Sequence, residues 1–154
     1  MKYPEISKKT KEYWSEENNT QLTEAKSVAD IFAVAQTVLC RMPEKMGQVC
    51  GPVTNGGFGS VEENLKYLSK QIEELQEKGL IVFDQMPFEE TFHRVVRDES
   101  LNQKYENILT DFYEPLFSLG RIDTLYFVKG WKSSRGANWE HEKAKELGLS
   151  IVYL

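Results

Sequence analysis

Cysteine is scarce. The 154 residues hold two, Cys40 and Cys50, whose spacing fits neither a zinc ribbon nor a redox pair, and two thiols make no disulfide framework. Reduced thiols are expected. The chain also has only two histidines, far apart in sequence, and its carboxylates are scattered. That is no metal-ligand set, so neither a metal nor a cofactor is expected. No apolar run approaches the ~20 residues that span a bilayer. Met1 to Asn19, rich in Lys, Glu and Asn, lacks the apolar centre of a signal peptide. A net charge of −5 and a pI near 5.2 provide no basic field for a nucleic-acid polymer or an anionic membrane. The expectation is a soluble, cytoplasmic protein that binds any phosphate locally.

A chain of this length suits one core. Residues 1–46 are expected as an N-terminal arm and helix packed on an α/β body of residues 47–154. In the arm, Val28, Ile31, Phe32, Ala35, Val38 and Leu39 recur at helical spacing after Ser27, and Pro43 closes the segment. Gln48 to Cys50 reads as a short strand. Gly51-Pro52-Val53-Thr54-Asn55-Gly56-Gly57-Phe58-Gly59 follows it directly. Ser60 then caps a helix with Glu63 at the box position and Val61, Leu65, Leu68, Ile72 and Leu75 on one face. Gly79 ends that helix, and Leu80 to Phe83 is the next strand. Phe88, Phe92, Val95 and Val96 predict a short helix carrying His93, read as structural. Ser100, with Gln103 at the box position, predicts another helix that Pro115 must kink or end.

Leu125 to Val128 and Leu149 to Leu154 flank the stretch Gly130 to Leu147, which reads as loop and then helix from Asn138. Alternating strands and helices predict an α/β fold: a flavodoxin-like three-layer sandwich with a mainly parallel sheet of order 2-1-3-4 and an N-terminal helical extension. Three loops then converge on the rim where such sheets bind ligands. They are the glycine-rich loop, Asp84 to Phe88 with Gln85 and Met86, and the stretch with Trp131, Ser133, Ser134, Arg135 and Gly136. A glycine-rich loop and helix N-termini there favour an anion. Glu140 and Glu142 both fall in the first turn or so of the last helix.

Two motifs, Cys-Gly-Pro-Val-Thr-Asn-Gly-Gly from Cys50 and Gly-Trp-Lys-Ser-Ser-Arg-Gly-Ala-Asn-Trp-Glu-His-Glu-Lys-Ala from Gly130, resemble the nucleoside deoxyribosyltransferase superfamily. The likeness is closest to its small bacterial and phage branch and covers roughly Gln48 to Leu154. In that superfamily a glutamate opens a helix of the form Glu-x-x-x-Ala, followed by a glycine and the last strand. Glu140, Ala144 and Gly148 match this spacing, so the resemblance implies that Glu140 is a nucleophile toward an anomeric carbon. Transferases keep an aspartate six residues earlier. Here that position is Ser134, as in the related deoxynucleoside 5′-monophosphate N-glycosidases, where a serine holds the phosphate.

The resemblance thus implies cleavage or transfer at the N-glycosidic bond of a (deoxy)nucleoside or its 5′-monophosphate, with Ser134 leaning toward a monophosphate hydrolase over a free-nucleoside transferase, in a homo-oligomer (dimer or tetramer). Asp111 and Glu114 are the two candidates for its second acid. Gly51, Pro52, Thr54, Asn55, Gly56, Gly57, Gln85, Met86, Trp131, Ser133, Ser134, Arg135 and Gly136 are the expected substrate contacts. The alternative is a non-catalytic nucleotide-binding module on the same fold.

Overall fold

A computed structural model describes all residues, 1–154. Three N-terminal helices, α1 (Lys8–Lys11), α2 (Glu16–Glu24) and α3 (Val28–Leu39), lead into strand β1 (Met46–Cys50). Next come α4 (Val61–Glu77) and α5 (Met86–Arg97), then α6 (Tyr105–Ile108), a π-helical turn (Leu109–Tyr113) and α7 (Glu114–Ser118). Strand β2 (Ile122–Phe127), α8 (Arg135–Leu147) and β3 (Ser150–Tyr153) finish the chain. No helix is long and apolar enough to cross a membrane.

The fold is α/β, around a three-stranded parallel sheet of order β1-β2-β3. Side chains alternate across it. Val49 faces α4, packing with Leu65, Leu68, Ile72 and Leu75. Cys50, Leu125 and Phe127 face the other way, into a larger core with α3, α5 and the Phe112 to Phe117 segment. That core runs across the expected boundary at residue 46, since Val28, Ile31, Ala35 and Val38 are fully buried in it.

The expected four-stranded sheet is reduced here. Leu80 to Phe83 forms one isolated parallel bridge, Gly47 to Val82, held by Gly47 N donating to Ile81 O (2.9 Å) and Phe83 N donating to Gly47 O (2.8 Å). A parallel ladder advances two residues per bond pair, so Val49 O would next accept from the Gln85 backbone. The Gln85 side chain takes it instead, with Nε2 donating at 2.7 Å, while Asp84 Oδ1 accepts from Met86 N and starts α5.

Of two further helix boundaries, the one at Ser100 differs from the expectation and the one at Pro115 breaks as expected. Ser100 lies in a 3-10 turn (Glu99–Leu101), and Gln103 Oε1 accepts from Val28 N, capping α3 rather than its own helix. At the other break, Pro115 has no N–H to give Asp111 O and its ring would crowd that carbonyl. The chain widens to a π turn, with Glu114 N donating to Leu109 O. One extra residue per turn changes which side chains face inward.

Candidate functional site

Helix α8 begins at Arg135, three residues before the expected start, because Ser134 is its N-cap and Ser134 Oγ accepts from Ala137 N at 3.1 Å. Glu140 therefore lies in the second turn, one turn below the helix mouth, on the face turned to the sheet. Beneath it Gln48, fully buried on β1, donates from Nε2 to Glu140 Oε2 at 2.7 Å. Above it opens a cavity of about 420 Å³, within the ~300–1,000 Å³ typical of small-molecule sites.

Of the expected contacts, Gly51, Thr54, Asn55, Gln85, Ser134, Arg135, Gly136 and Glu140 line this cavity together. Asn55 Oδ1 accepts from Arg135 N at 3.2 Å, tying the loop after β1 to the helix N-terminus. Arg135 N, Ala137 N and Asn138 N are thus engaged by Asn55, by the Ser134 hydroxyl and by Ser134 O.

The remaining expected contacts lie elsewhere. Gly56 and Gly57 take positive φ (68° and 60°) and press against Ser133 and Asn64, so their missing side chains serve loop packing rather than a ligand. Ser133 Oγ accepts from Gly57 N at 2.9 Å and donates to Gly130 O at 2.7 Å. Pro52 is buried off the cavity. Met86 is packed against α4's apolar face, and Trp131 stacks on His141 with ring centroids 4.4 Å apart.

Asp111 and Glu114 also lie off the cavity. Asp111 accepts from Asn107 Nδ2 and Thr110 Oγ1 near the surface, and Glu114 pairs with Lys143 at 3.2 Å. The π turn sets both aside and points Tyr113 inward instead. The carboxyl that does share the cavity is Glu89, on the first turn of α5 and 5 % exposed. It flanks the apolar stripe, where an acid reads as solvated. The available signal was its place just past the second site loop, four residues before His93.

Burial raises both carboxyls. Glu140 is pushed up to about 8, against the lowering effect of hydrogen bonds from Cys50 and Gln48. Glu89 is also pushed up to about 8, by burial first and then by the negative charges of Glu140 and Asp84. The buried Tyr113 hydroxyl is raised well above its ordinary value by burial and then by Glu89 and Glu140. His93, also lining the cavity, is lowered to about 4 by burial and by Arg97. No group of His, Cys, Asp or Glu side chains is placed to hold a metal ion.

The arrangement is thus two buried carboxyls on one cavity, of which only Glu140 receives hydrogen bonds. No curated protein and no solved structure matches the chain. The sequence does match the domain of unknown function DUF4406 over residues 48–153, from within β1 to the end of β3, and so the chain belongs to that family.

Proposed function

We propose that the protein cleaves the N-glycosidic bond of a (deoxy)nucleoside or its 5′-monophosphate, with Glu140 as nucleophile and Glu89 as acid. The observation that carries this reading is the asymmetry between two carboxyls on one cavity. Two such groups do not ionise together readily, and in the singly protonated pair the donors decide which holds the charge. Gln48 donates to Glu140 at 2.7 Å, so Glu140 takes the anion, and Glu89 keeps the proton.

Glu140 carboxylate then attacks the anomeric carbon as the bond to the base breaks, and the bonding pair stays on the base nitrogen, which takes its proton from Glu89. A glycosyl ester on Glu140 results. Water next attacks the anomeric carbon, gives its proton to Glu89 and releases Glu140. The hydroxyl of Ser134 and the glycine beside it, Gly136, line the cavity at the N-terminus of α8, which suits a 5′-phosphate there. The Gly47–Val82 bridge supports a fourth strand position and hence the 2-1-3-4 order of a flavodoxin-like sheet.

The test is base release, followed by chromatography, from a panel of ribo- and deoxynucleosides and their 5′-monophosphates. Release by the native chain and its loss in Glu140→Gln are expected. A chain that binds these compounds without turnover would instead be a nucleotide-binding module.

A further inference from the structure

The residues before β1 lie outside the matched family region, yet one of them reaches the site. Tyr3 Oη lies 2.9 Å from His93 Nδ1. On the opposite side of the same ring, His93 Nε2 faces Glu89 Oε2 at 3.8 Å, with both side chains buried. The arm is fastened where this happens: Ser7 Oγ donates to Gln76 Oε1 at 2.7 Å and Thr10 Oγ1 donates to the buried Asp84 Oδ2 at 2.8 Å. These bonds fix the approach of Tyr3 to the ring.

We propose that Tyr3 and His93 are positioning residues for Glu89, with the Tyr3 hydroxyl donating to His93 Nδ1 so that the ring presents an Nε2 proton to the Glu89 carboxyl. A neutral imidazole bonded at one nitrogen has its tautomer set by that bond. With Nδ1 accepting, Nε2 must carry the hydrogen. At 3.8 Å it is too far for a hydrogen bond to the resting acid, which leaves Glu89 protonated. Once Glu89 has given its proton to the departing base, the new anion attracts the N–H, and a small closure forms a charge-assisted bond.

The ring thus favours the state Glu89 reaches after donation. The groups facing this cluster are consistent with a neutral ring. Arg97 opposes a charge on His93, Tyr105 stands beside it with ring centroids 6.5 Å apart, and Glu90 and Arg97 act on Tyr3. Glu140 and Asp84 are the other charges acting on Glu89.

This rests on Glu89 being the acid of the proposed reaction, and its test has a readout that needs no substrate. In protein labelled with ¹⁵N-histidine and carboxyl-¹³C-glutamate, the native chain is expected to show His93 protonated at Nε2 only. In Tyr3→Phe, a mixture of tautomers and an upward move of the Glu89 titration are expected. His93→Gln, which keeps an N–H toward Glu89, should stay nearer the native titration than His93→Leu. If His93→Leu does not fold, Tyr3→Phe still decides, since it removes one hydroxyl from a half-buried side chain.

Nδ1 protonation in the native chain, or a Glu89 titration unchanged in Tyr3→Phe, overturns the proposal. Where base release is found, Tyr3→Phe should lower kcat roughly 10-fold with KM little changed, as expected for support felt in the transition state. Absence of base release sinks the glycosidase reading and leaves the NMR result standing.

Discussion

Glu140 and Glu89 are the same residue type in the same cavity, and what separates them is who donates to them. Glu140→Gln keeps an acceptor for Gln48 but has no nucleophilic oxygen, so base release should fall at least ~10³-fold with the fold intact. The pair also sets a pH signature. Burial raises both glutamates to about 8, against an ordinary 4.5, and Glu140 is the first of the two to ionise. Their contribution to stability is therefore complete below 4.5 and is lost as pH rises toward 8. His93 acts in the opposite sense, since its folded value of about 4 lies under the ordinary 6.5 and its contribution is lost as pH falls between them. The two slopes oppose each other up to pH 6.5. Two carboxyls outweigh one imidazole, and Asp84, raised from 3.8 to about 6, adds to them, so the net loss should begin near pH 4.5 and continue to about 8. Urea unfolding across that range should show Glu140→Gln and Glu89→Gln each flattening the slope, and each more stable than the native chain at pH 8 by ~1–3 kcal/mol.

At the scale of elements, the loop after β1 is held from α4. Asn64 Nδ2 donates to Val53 O (3.0 Å) and Gly56 O (3.3 Å), and Asn64 Oδ1 accepts from Phe58 N (2.9 Å). Removing this side chain frees two carbonyls and an amide, so Asn64→Ala should cost ~1–3 kcal/mol. It should also weaken nucleotide binding about 10-fold by loosening Thr54 and Asn55, a loss calorimetric titration would read. Asn64 sits at the polar edge of an amphipathic helix, and nothing in its spacing marks it. By contrast α3 and α4 were legible because cap and stripe agree: Ser27 and Ser60 each accept at the N3 amide, and the apolar residues repeat over three turns or more. Glu140 was singled out by resemblance, through its spacing to Ala144 and Gly148, and of these only Gly148 has a local structural reason, ending α8 in the left-handed region (φ 69°). Glu89 was not, since an acid beside a stripe faces water or a cavity depending on how the helix is tilted on the sheet. The break at Pro115 was legible too, but its resolution as a π turn depends on Phe112, Tyr113, Leu116 and Phe117 being packed at once.

For the whole molecule, the N-terminal 46 residues divide into two parts with different consequences. The α3 helix supplies the middle of the larger core, with Ile31 and Ala35 fully buried against the same cluster as Phe88, Phe92 and Phe112. A chain starting at residue 47 would leave that apolar face of the body in water, and it should not fold alone. The first fourteen residues are different, because they attach through a few contacts. Among these are Tyr3 to His93, Ser7 to Gln76, Thr10 to Asp84, and Trp14 against Phe88 with ring centroids 5.2 Å apart. Burial holds the Asp84 carboxyl up at about 6, against the lowering effects of its bonds from Met86 and Thr10. Deleting residues 1–14 uncovers Asp84, and its titration should move down toward the ordinary value of 3.8. The truncated chain should keep a single cooperative transition with a lower Tm, ~2–4 °C for each kcal/mol lost at this size. Its His93 should no longer hold one tautomer. Unfolding in two separate transitions would contradict the one core drawn here, and an unchanged Asp84 titration would show that the arm does not cover it.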